Sequence, residues 1–305
     1  MVPGFRRTLS FPNQHPSRPS RPQKSYHIRS TSLPCRAHPQ ISQLKDEINE
    51  LKTWESKALS RNSAWLCDGL SRLRCIHDSL DDLLQLPQTQ DSLRRQSHWV
   101  EKLLEDFLRF VDVYGIFRAA LLALKEEHLA AQVAIRRRDE SKIASYVKAR
   151  KKMEKEMSKL VSVVRCIGKS MVPGAVSVSD GDAELAAVLK DVNDVTVSVS
   201  ILLFNGILSS SSPSSSSSLS SKSWMLWRPS KKTKKIEAEE GIRELEEVRV
   251  ESLCRLKKQG EEEVRMTLRR MQALEDCIGG IESESERVFR SFINTRVSLL
   301  NILTQ

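Results

Sequence analysis

An apolar stripe between Val100 and His128 constrains the fold of this chain more than any other feature of the sequence. Its apolar and aromatic side chains alternate at spacings of three and four residues without interruption, which places them on one face of an α-helix. A second apolar row beside the stripe widens it toward the breadth of a buried core helix. The stripe consists of Val100, Leu103, Phe107, Phe110, Tyr114, Phe117, Leu121, Leu124 and His128, and the second row of Leu104, Leu108, Val111, Leu122, Leu129 and Val133.

The same periodicity recurs along most of the chain and predicts an all-α fold. Aromatic residues make up only 5% of the sequence and there are only 11 glycines, so an all-β fold is disfavoured. Short connections at 87–90 and 136–140 favour antiparallel packing of neighbouring helices. We therefore expect an antiparallel bundle of long helices with coiled-coil character. One helix of about 70 Å is predicted from Thr89 to Ile135, and the last helical region is predicted to be interrupted at Gly279–Gly280.

The first 38 residues differ from the rest of the chain in composition and charge. Seven of the eleven prolines lie within residues 1–39. Eight Lys and Arg residues precede Asp46, which is the first acidic residue, so most of the net charge of +10 lies in this segment. These features predict a disordered, basic, Pro/Ser-rich tail over residues 1–38 and a helical bundle domain over residues 39–305. An organelle transit peptide is the alternative for the tail, because such peptides are acid-poor and rich in Arg and Ser.

The second half of the chain contains an apolar segment that is followed directly by a serine-rich segment. Residues 195–208 are rich in β-branched residues and predict a buried helix, with a membrane hook as the alternative. No stretch reaches the roughly 20 apolar residues that a membrane span requires. Residues 209–223 are serine at 12 of 15 positions and predict a flexible loop. The loop is followed by an apolar knob at Trp224 and Trp227 and by a short cluster at Lys231–Lys235 that resembles a nuclear import signal.

The densest basic patch of the bundle lies at the turn near residue 138 and on the helix that follows. Its cations predict either an ordinary solvated face, partly paired with Glu154 and Glu156, or a surface that meets the phosphates of a nucleic acid or an acidic membrane surface. Nucleic-acid binding is disfavoured, because most of the net positive charge lies in the tail and not on a folded surface. The outer face of this helix is predicted to include Arg150. The candidate interaction surface consists of Arg136, Arg137, Arg138, Lys148, Lys151, Lys152, Trp224 and Trp227.

The sequence carries no pattern typical of an enzyme, a metal centre or a cofactor site. It has no phosphate-binding glycine loop, no nucleophile elbow and no zinc-binding arrangement of Cys and His. His77 lies on an apolar helix face, where a histidine is more often packed and hydrogen-bonded than catalytic. The six cysteines form no C-x-x-C pair, which fits a reducing intracellular location. We therefore expect no catalytic residues, no cofactor and no bound metal.

Three ordered segments resemble the signatures of the plant domain-of-unknown-function 241 family, whose members are related to the Bypass-one protein. The segments span residues 28–39, 83–90 and 289–303, so the resemblance extends over most of the chain. Each signature is weak alone, and the three in order are specific. The residues that carry it are Arg29, Ser32, Leu33, Pro34, His38, Leu86, Pro87, Thr89, Gln90, Arg296, Leu299, Leu300 and Asn301.

The resemblance implies an all-helical plant protein without an assigned enzyme activity. Its better-known relatives are linked to root and shoot development through restraint of a mobile signal that originates in the root. We therefore expect a non-enzymatic helical scaffold or regulator that acts through contacts with other proteins, in the cytoplasm. The alternative is a protein associated with a membrane surface or a plastid through the basic tail and segment 195–208. Self-association through the helical seams at 41–51 and 242–278 also remains open.

Overall fold

The computed structural model describes residues 39–56, 61–168, 180–208, 241–248, 253 and 260–304, and these residues form helices without any strand. The all-α prediction is confirmed. The segments 1–38 and 209–223, the pair Trp224 and Trp227, and the cluster at 231–235 lie outside the described residues. The helices are α1 (Pro39–Ser56), α2 (Ser63–Leu84), α3 (Pro87–Arg95), α4 (Ser97–Arg137), α5 (Glu140–Gly168), α6 (Asp180–Ile207), α7 (Arg243–Glu247) and α8 (Glu261–Thr304).

The predicted single helix from Thr89 to Ile135 is wrong at its beginning. Gln96 leaves the helical conformation, with φ −121° and ψ 49°, and separates α3 from α4. The backbone N–H of Gln96 donates to Leu93 O at 2.9 Å, and its carbonyl accepts from Trp99 N at 2.8 Å. Because both backbone groups of Gln96 keep partners, the break costs little hydrogen bonding, and hydrophobic periodicity alone does not reveal it.

The predicted turn between α4 and α5 is confirmed at Arg138, which adopts a left-handed conformation with φ 55° and ψ 36°. The backbone N–H of Asp139 donates to Ala134 O at 2.9 Å and closes the end of α4. The Asp139 carboxylate accepts from the backbone N–H groups of Ser141 and Lys142 at 3.0 and 3.2 Å. One aspartate therefore follows the end of α4 and caps the beginning of α5.

The predicted interruption at Gly279–Gly280 is wrong, because α8 continues through both glycines as a single helix of 44 residues. Ile278 and Ile281 on either side are buried in the core. A glycine inside a helix costs only about 1 kcal/mol relative to alanine. Burial of the flanking turns exceeds this cost, so the helix does not break.

We expect that replacing Gly279 and Gly280 with alanine raises the free energy of unfolding by about 1–2 kcal/mol, measured by urea denaturation. A Cβ at Gly279 would have no neighbour within 4 Å, and one at Gly280 would lie 3.5 Å from Cys67 Sγ, an ordinary contact. Gly206→Ala is the contrasting variant, since its Cβ would lie 2.8 Å from a Leu66 methyl carbon. No gain for the double variant, or an equal gain for Gly206→Ala, would contradict this argument.

Helix α4 runs antiparallel to α8, and contacts along their length show the direction. Lys125 Nζ lies 2.6 Å from the Glu282 carboxylate, and Gln132 Nε2 donates to Glu275 at 2.8 Å. The residue numbers thus fall along α8 as they rise along α4. The short turn at Arg138 also makes α4 and α5 antiparallel, as predicted.

Helix α2, in contrast, runs parallel to α8. Near the beginning of α2, Ser63 Oγ lies 2.9 Å from Cys277 Sγ, and just past its end Gln85 Nε2 donates to Ser298 Oγ at 3.1 Å. Parallel packing of helices is compatible with the bundle because α2 and α8 are far apart in sequence and no short connection joins them. Antiparallel neighbours are therefore predictable from short connections, whereas this pairing is not.

The core of the bundle contains a cluster of aromatic rings around Phe292 of α8. The ring of Phe292 lies 5.0 Å from Tyr114 and 5.5 Å from Phe110, measured between ring centroids. Every residue of the predicted stripe between Val100 and His128 is buried. The interpretation of the aromatic stripe as core packing is therefore confirmed.

The second apolar row of α4 does not widen the core as predicted. Leu108, Leu122, Leu129 and Val133 are exposed by 40 to 50%, and Leu104 and Val111 are partly buried. Helix α8 covers one side of the stripe and α5 covers the other, so the second row lies beyond the edge of the contact. Helical spacing establishes that two rows are adjacent, but it does not establish how far the neighbouring helices reach around α4.

The segment at 195–208 is helical to Ile207, as predicted, and forms the second half of α6. Its apolar side chains at Val195, Val199, Leu203, Phe204 and Ile207 are buried in the core. A membrane hook would require these side chains at the surface, so their burial counts against that alternative. Within the described ranges, no helix is both long enough and apolar enough to cross a membrane.

Candidate functional site

His77 is buried and hydrogen-bonded, as the sequence predicts. Thr196 Oγ1 donates its proton to Val192 O at 2.7 Å, so it accepts from Nε2–H of His77, 2.9 Å away. Nδ1 of His77 has no partner, which suits the neutral ring. Burial lowers the pKa of His77 to about 3. A histidine held neutral and away from solvent is a core residue and a poor candidate for acid–base catalysis.

His128 is the second buried histidine, and both of its nitrogens have partners. Nε2 donates to Met271 O at 2.8 Å, so Nδ1 accepts from the hydroxyl of Tyr146 at 3.0 Å. Burial lowers the pKa of His128 and raises that of Tyr146. Both groups are therefore neutral at physiological pH and join α4, α5 and α8.

Arg150 is buried, so its predicted place on the outer face of α5 is wrong. Its guanidinium donates to Leu245 O at 3.2 Å and to Val248 O, at the end of α7. The guanidinium thus satisfies carbonyls that a short helix leaves unpaired. The sequence holds a signal for this position, because Tyr146, Arg150 and Met153 continue the spacing of three and four residues.

The remaining cations of α5 form an exposed surface, which we call the cationic face. Lys148, Lys151, Lys152 and Lys155 are exposed and form no ion pair with any residue of the described ranges. On α5 the acidic Glu154 and Glu156 are only half-exposed, and Glu156 pairs with Lys159 at 2.8 Å. Four exposed lysines against two partly buried glutamates leave the cationic face with an excess of positive charge.

The three arginines of the α4–α5 turn, Arg136, Arg137 and Arg138, are exposed and adjoin the cationic face along the chain. Two of them lie in the last turn of α4, where the helix dipole favours positive charge. The structure thus exposes every candidate of the predicted interaction surface that lies within the described residues. Trp224 and Trp227 lie outside those residues.

The second and third signatures of the family resemblance meet where α2 and α3 pack on the end of α8. Ser298 Oγ interacts with both Gln85 and Asp81, and Arg94 Nε donates to Ile302 O at 3.2 Å. Pro87 begins α3, Thr89 and Leu299 are buried, and Gln90 Nε2 donates to Leu84 O at 3.2 Å. Leu86 and Arg296 are partly buried, whereas Leu300 and Asn301 are exposed. Arg29, Ser32, Leu33, Pro34 and His38 of the first signature lie outside the described residues.

Cys67 and Cys277 are poor candidates for thiol chemistry, and the described residues contain no metal-binding cluster. Burial raises the pKa of Cys67 to about 11, and it also raises the pKa of Cys277. Such thiols are protonated at neutral pH and are weak nucleophiles. No group of His, Cys, Asp and Glu residues with the arrangement of a metal site occurs within the described ranges.

Comparison with protein families identifies the family of this chain. A family model described as Protein BPS1 matches residues 69–302, which include most of α2 and nearly all of α8. No curated protein matches the chain, and no solved structure matches it. The match covers the second signature and all but the last residue of the third, and it begins beyond the first signature.

Proposed function

The chain belongs to the BPS1 family, and on this premise we propose that it is a non-enzymatic helical regulator of root and shoot development that acts by binding other proteins. Family membership indicates a plant developmental protein of unknown molecular function. A non-enzymatic role agrees with the buried Tyr114, His128 and Tyr146, whose polar side-chain atoms form hydrogen bonds within the bundle.

The observation that carries the proposal is the cationic face of α5. Its lysines are exposed over about two helical turns without a described ion-pair partner. A surface with one sign of charge is complementary to an acidic partner and accelerates the encounter with it. We therefore assign the docking of an acidic protein surface to Lys148, Lys151 and Lys152, continued by Arg136, Arg137 and Arg138.

The test compares two charge-reversal variants of the tagged full-length chain, expressed in plants that lack the protein. Lys148→Glu/Lys152→Glu changes the cationic face, whereas Arg269→Glu/Arg270→Glu makes the same change of charge on exposed cations of α8. We expect the amount of partner protein that co-purifies with the first variant to fall about tenfold. We also expect this variant to fail to restore root and shoot growth. The α8 variant should retain both.

Equal partner recovery and growth for the two variants would overturn the assignment. Purified protein is also mixed with vesicles containing an anionic lipid and then centrifuged. Sedimentation that is lost only in Lys148→Glu/Lys152→Glu, without loss of any protein partner, would assign the cationic face to a membrane surface and would also overturn the proposal.

A further inference from the structure

A groove between α1 and the first half of α2 combines stacked aromatic rings with acidic side chains. It encloses a cavity of about 740 Å³, a volume sufficient for several amino-acid side chains. Its walls come from Asp46, Asn49, Glu50, Thr53, Trp54, Trp65 and Arg72. Helix α6 packs between α1 and α5, so this groove and the cationic face are separate surfaces.

Trp54 and Trp65 stack face to face in this groove, with ring centroids 4.2 Å apart and an interplanar angle of 12°. The absence of a side chain at Gly69 makes this stack sterically feasible. A Cβ at Gly69 would lie 2.2 Å from Cη2 of Trp54, well inside van der Waals contact. Gly69 therefore fixes the position of Trp54, and through it the shape of the groove.

The outer face of the stack already attracts a cation. The guanidinium carbon of Arg61 lies 5.9 Å from the centroid of the Trp65 ring, at the outer limit of a cation–π interaction. Arg61 has no carboxylate partner among the described residues. The position of Arg61 shows that the Trp65 ring face is accessible to a cationic side chain.

The carboxylates in the groove are free to receive such a cation. Asp46 and Glu50 lie one turn apart on α1, are exposed, and form no ion pair within the part of the chain that the structure describes. The cations of α1 are directed elsewhere, since Lys45 pairs with Glu184 and Lys52 with Asp191, both on α6. Arg72 is held by Asp68 at 3.0 Å. The groove is thus acidic on the surface of a chain with an overall positive charge.

We propose that this groove binds a basic peptide segment of a partner protein, with an Arg or Lys side chain between the Trp54–Trp65 stack and the carboxylates of Asp46 and Glu50. Aromatic rings beside unpaired carboxylates are the chemistry that recognises a guanidinium or ammonium group. The proposal adds a second docking surface to the binding role proposed above, and it depends on different residues.

Fluorescence anisotropy of a labelled hexa-arginine peptide, titrated with the full-length chain, tests this site. Asp46→Asn/Glu50→Gln removes both charges and preserves the shapes of the side chains. Glu261→Gln/Glu262→Gln makes the same change at exposed residues of α8, where the carboxylates lie 4.0 and 3.7 Å from Arg265. We expect the first variant to raise the dissociation constant about tenfold and the second to change it less than about twofold.

A second variant examines the aromatic stack without altering any charge. Gly69→Ala displaces Trp54, and we expect it to weaken peptide binding severalfold, with the helical circular dichroism retained. Absence of binding to the unchanged chain, or equal binding by all variants, would overturn the proposal. Lys148→Glu/Lys152→Glu should bind the peptide as tightly as the unchanged chain, so failure of one docking surface is distinguishable from failure of the other.

Discussion

Phe292→Ala is expected to lower the free energy of unfolding by about 3–5 kcal/mol, measured by urea denaturation at pH 7. Phe292 is fully buried, and its ring contacts the rings of His77 at 4.8 Å and Tyr114 at 5.0 Å between centroids. Removing the ring leaves a cavity among side chains of α2, α4 and α8. These rigid aromatic neighbours cannot collapse to fill it, which places the cost near the upper end for large-to-small changes.

Ile293→Ala is the matched control for this substitution. It removes a large apolar side chain from the adjacent position of α8, where the residue is 38% exposed. The expected loss is about 1 kcal/mol or less, because an exposed side chain leaves no cavity. Comparable losses for Phe292→Ala and Ile293→Ala would contradict the assignment of Phe292 to the centre of the core.

The core of α4 could be predicted from the sequence because one helix determines it. The spacing of three and four residues identifies which side chains share a face, and those from Val100 to His128 are all buried. The edges of that core could not be predicted, since they depend on how far α5 and α8 reach around α4. Leu122 and Leu129 follow the helical pattern equally well and are nevertheless exposed.

The limits of local signals also explain the errors at Gln96 and at Gly279–Gly280. A helix break at Gln96 leaves the hydrophobic spacing intact, so that spacing does not reveal it. At Gly279–Gly280 the sequence contains a signal for a break, because glycine is a poor helix former. The helix nevertheless continues, since burial of the turns on both sides stabilises α8.

The cationic face and the groove of Trp54 and Trp65 differ in how far they could be predicted from the sequence. The exposed lysines of α5 could be predicted, since they recur at spacings of three and four residues on one helix. Arg150 lies among them in sequence but on the buried face of the same helix. The groove of Trp54 and Trp65 could not be predicted from the sequence. Its walls come from two helices, and the stack depends on the close approach of Trp54 to Gly69.

Acid is expected to destabilise the folded chain through His77, and His77→Leu is expected to remove this part of the pH dependence. Burial holds the pKa of His77 at about 3 in the folded chain, below its ordinary value of 6.5. Below pH 6.5 the unfolded chain binds a proton that the folded chain does not accept until pH 3. The stabilisation is therefore complete above about pH 6.5 and is lost as the pH falls toward 3, by about 3 kcal/mol between pH 7 and pH 4.

The measurement is the free energy of unfolding in urea at pH 7 and at pH 4 for three forms of the chain. His98→Gln is the control, because His98 is exposed and its replacement should preserve the full acid effect. His77→Leu keeps an apolar side chain against Phe107 and Phe292, and Thr196 retains its hydrogen bond to Val192 O. The free energy of unfolding of His77→Leu should therefore fall between pH 7 and pH 4 by about 3 kcal/mol less than that of the unchanged chain. If both variants lose as much stability in acid as the unchanged chain, the proton is not excluded at His77, and the buried carboxyl and histidine groups elsewhere in the bundle determine its acid sensitivity.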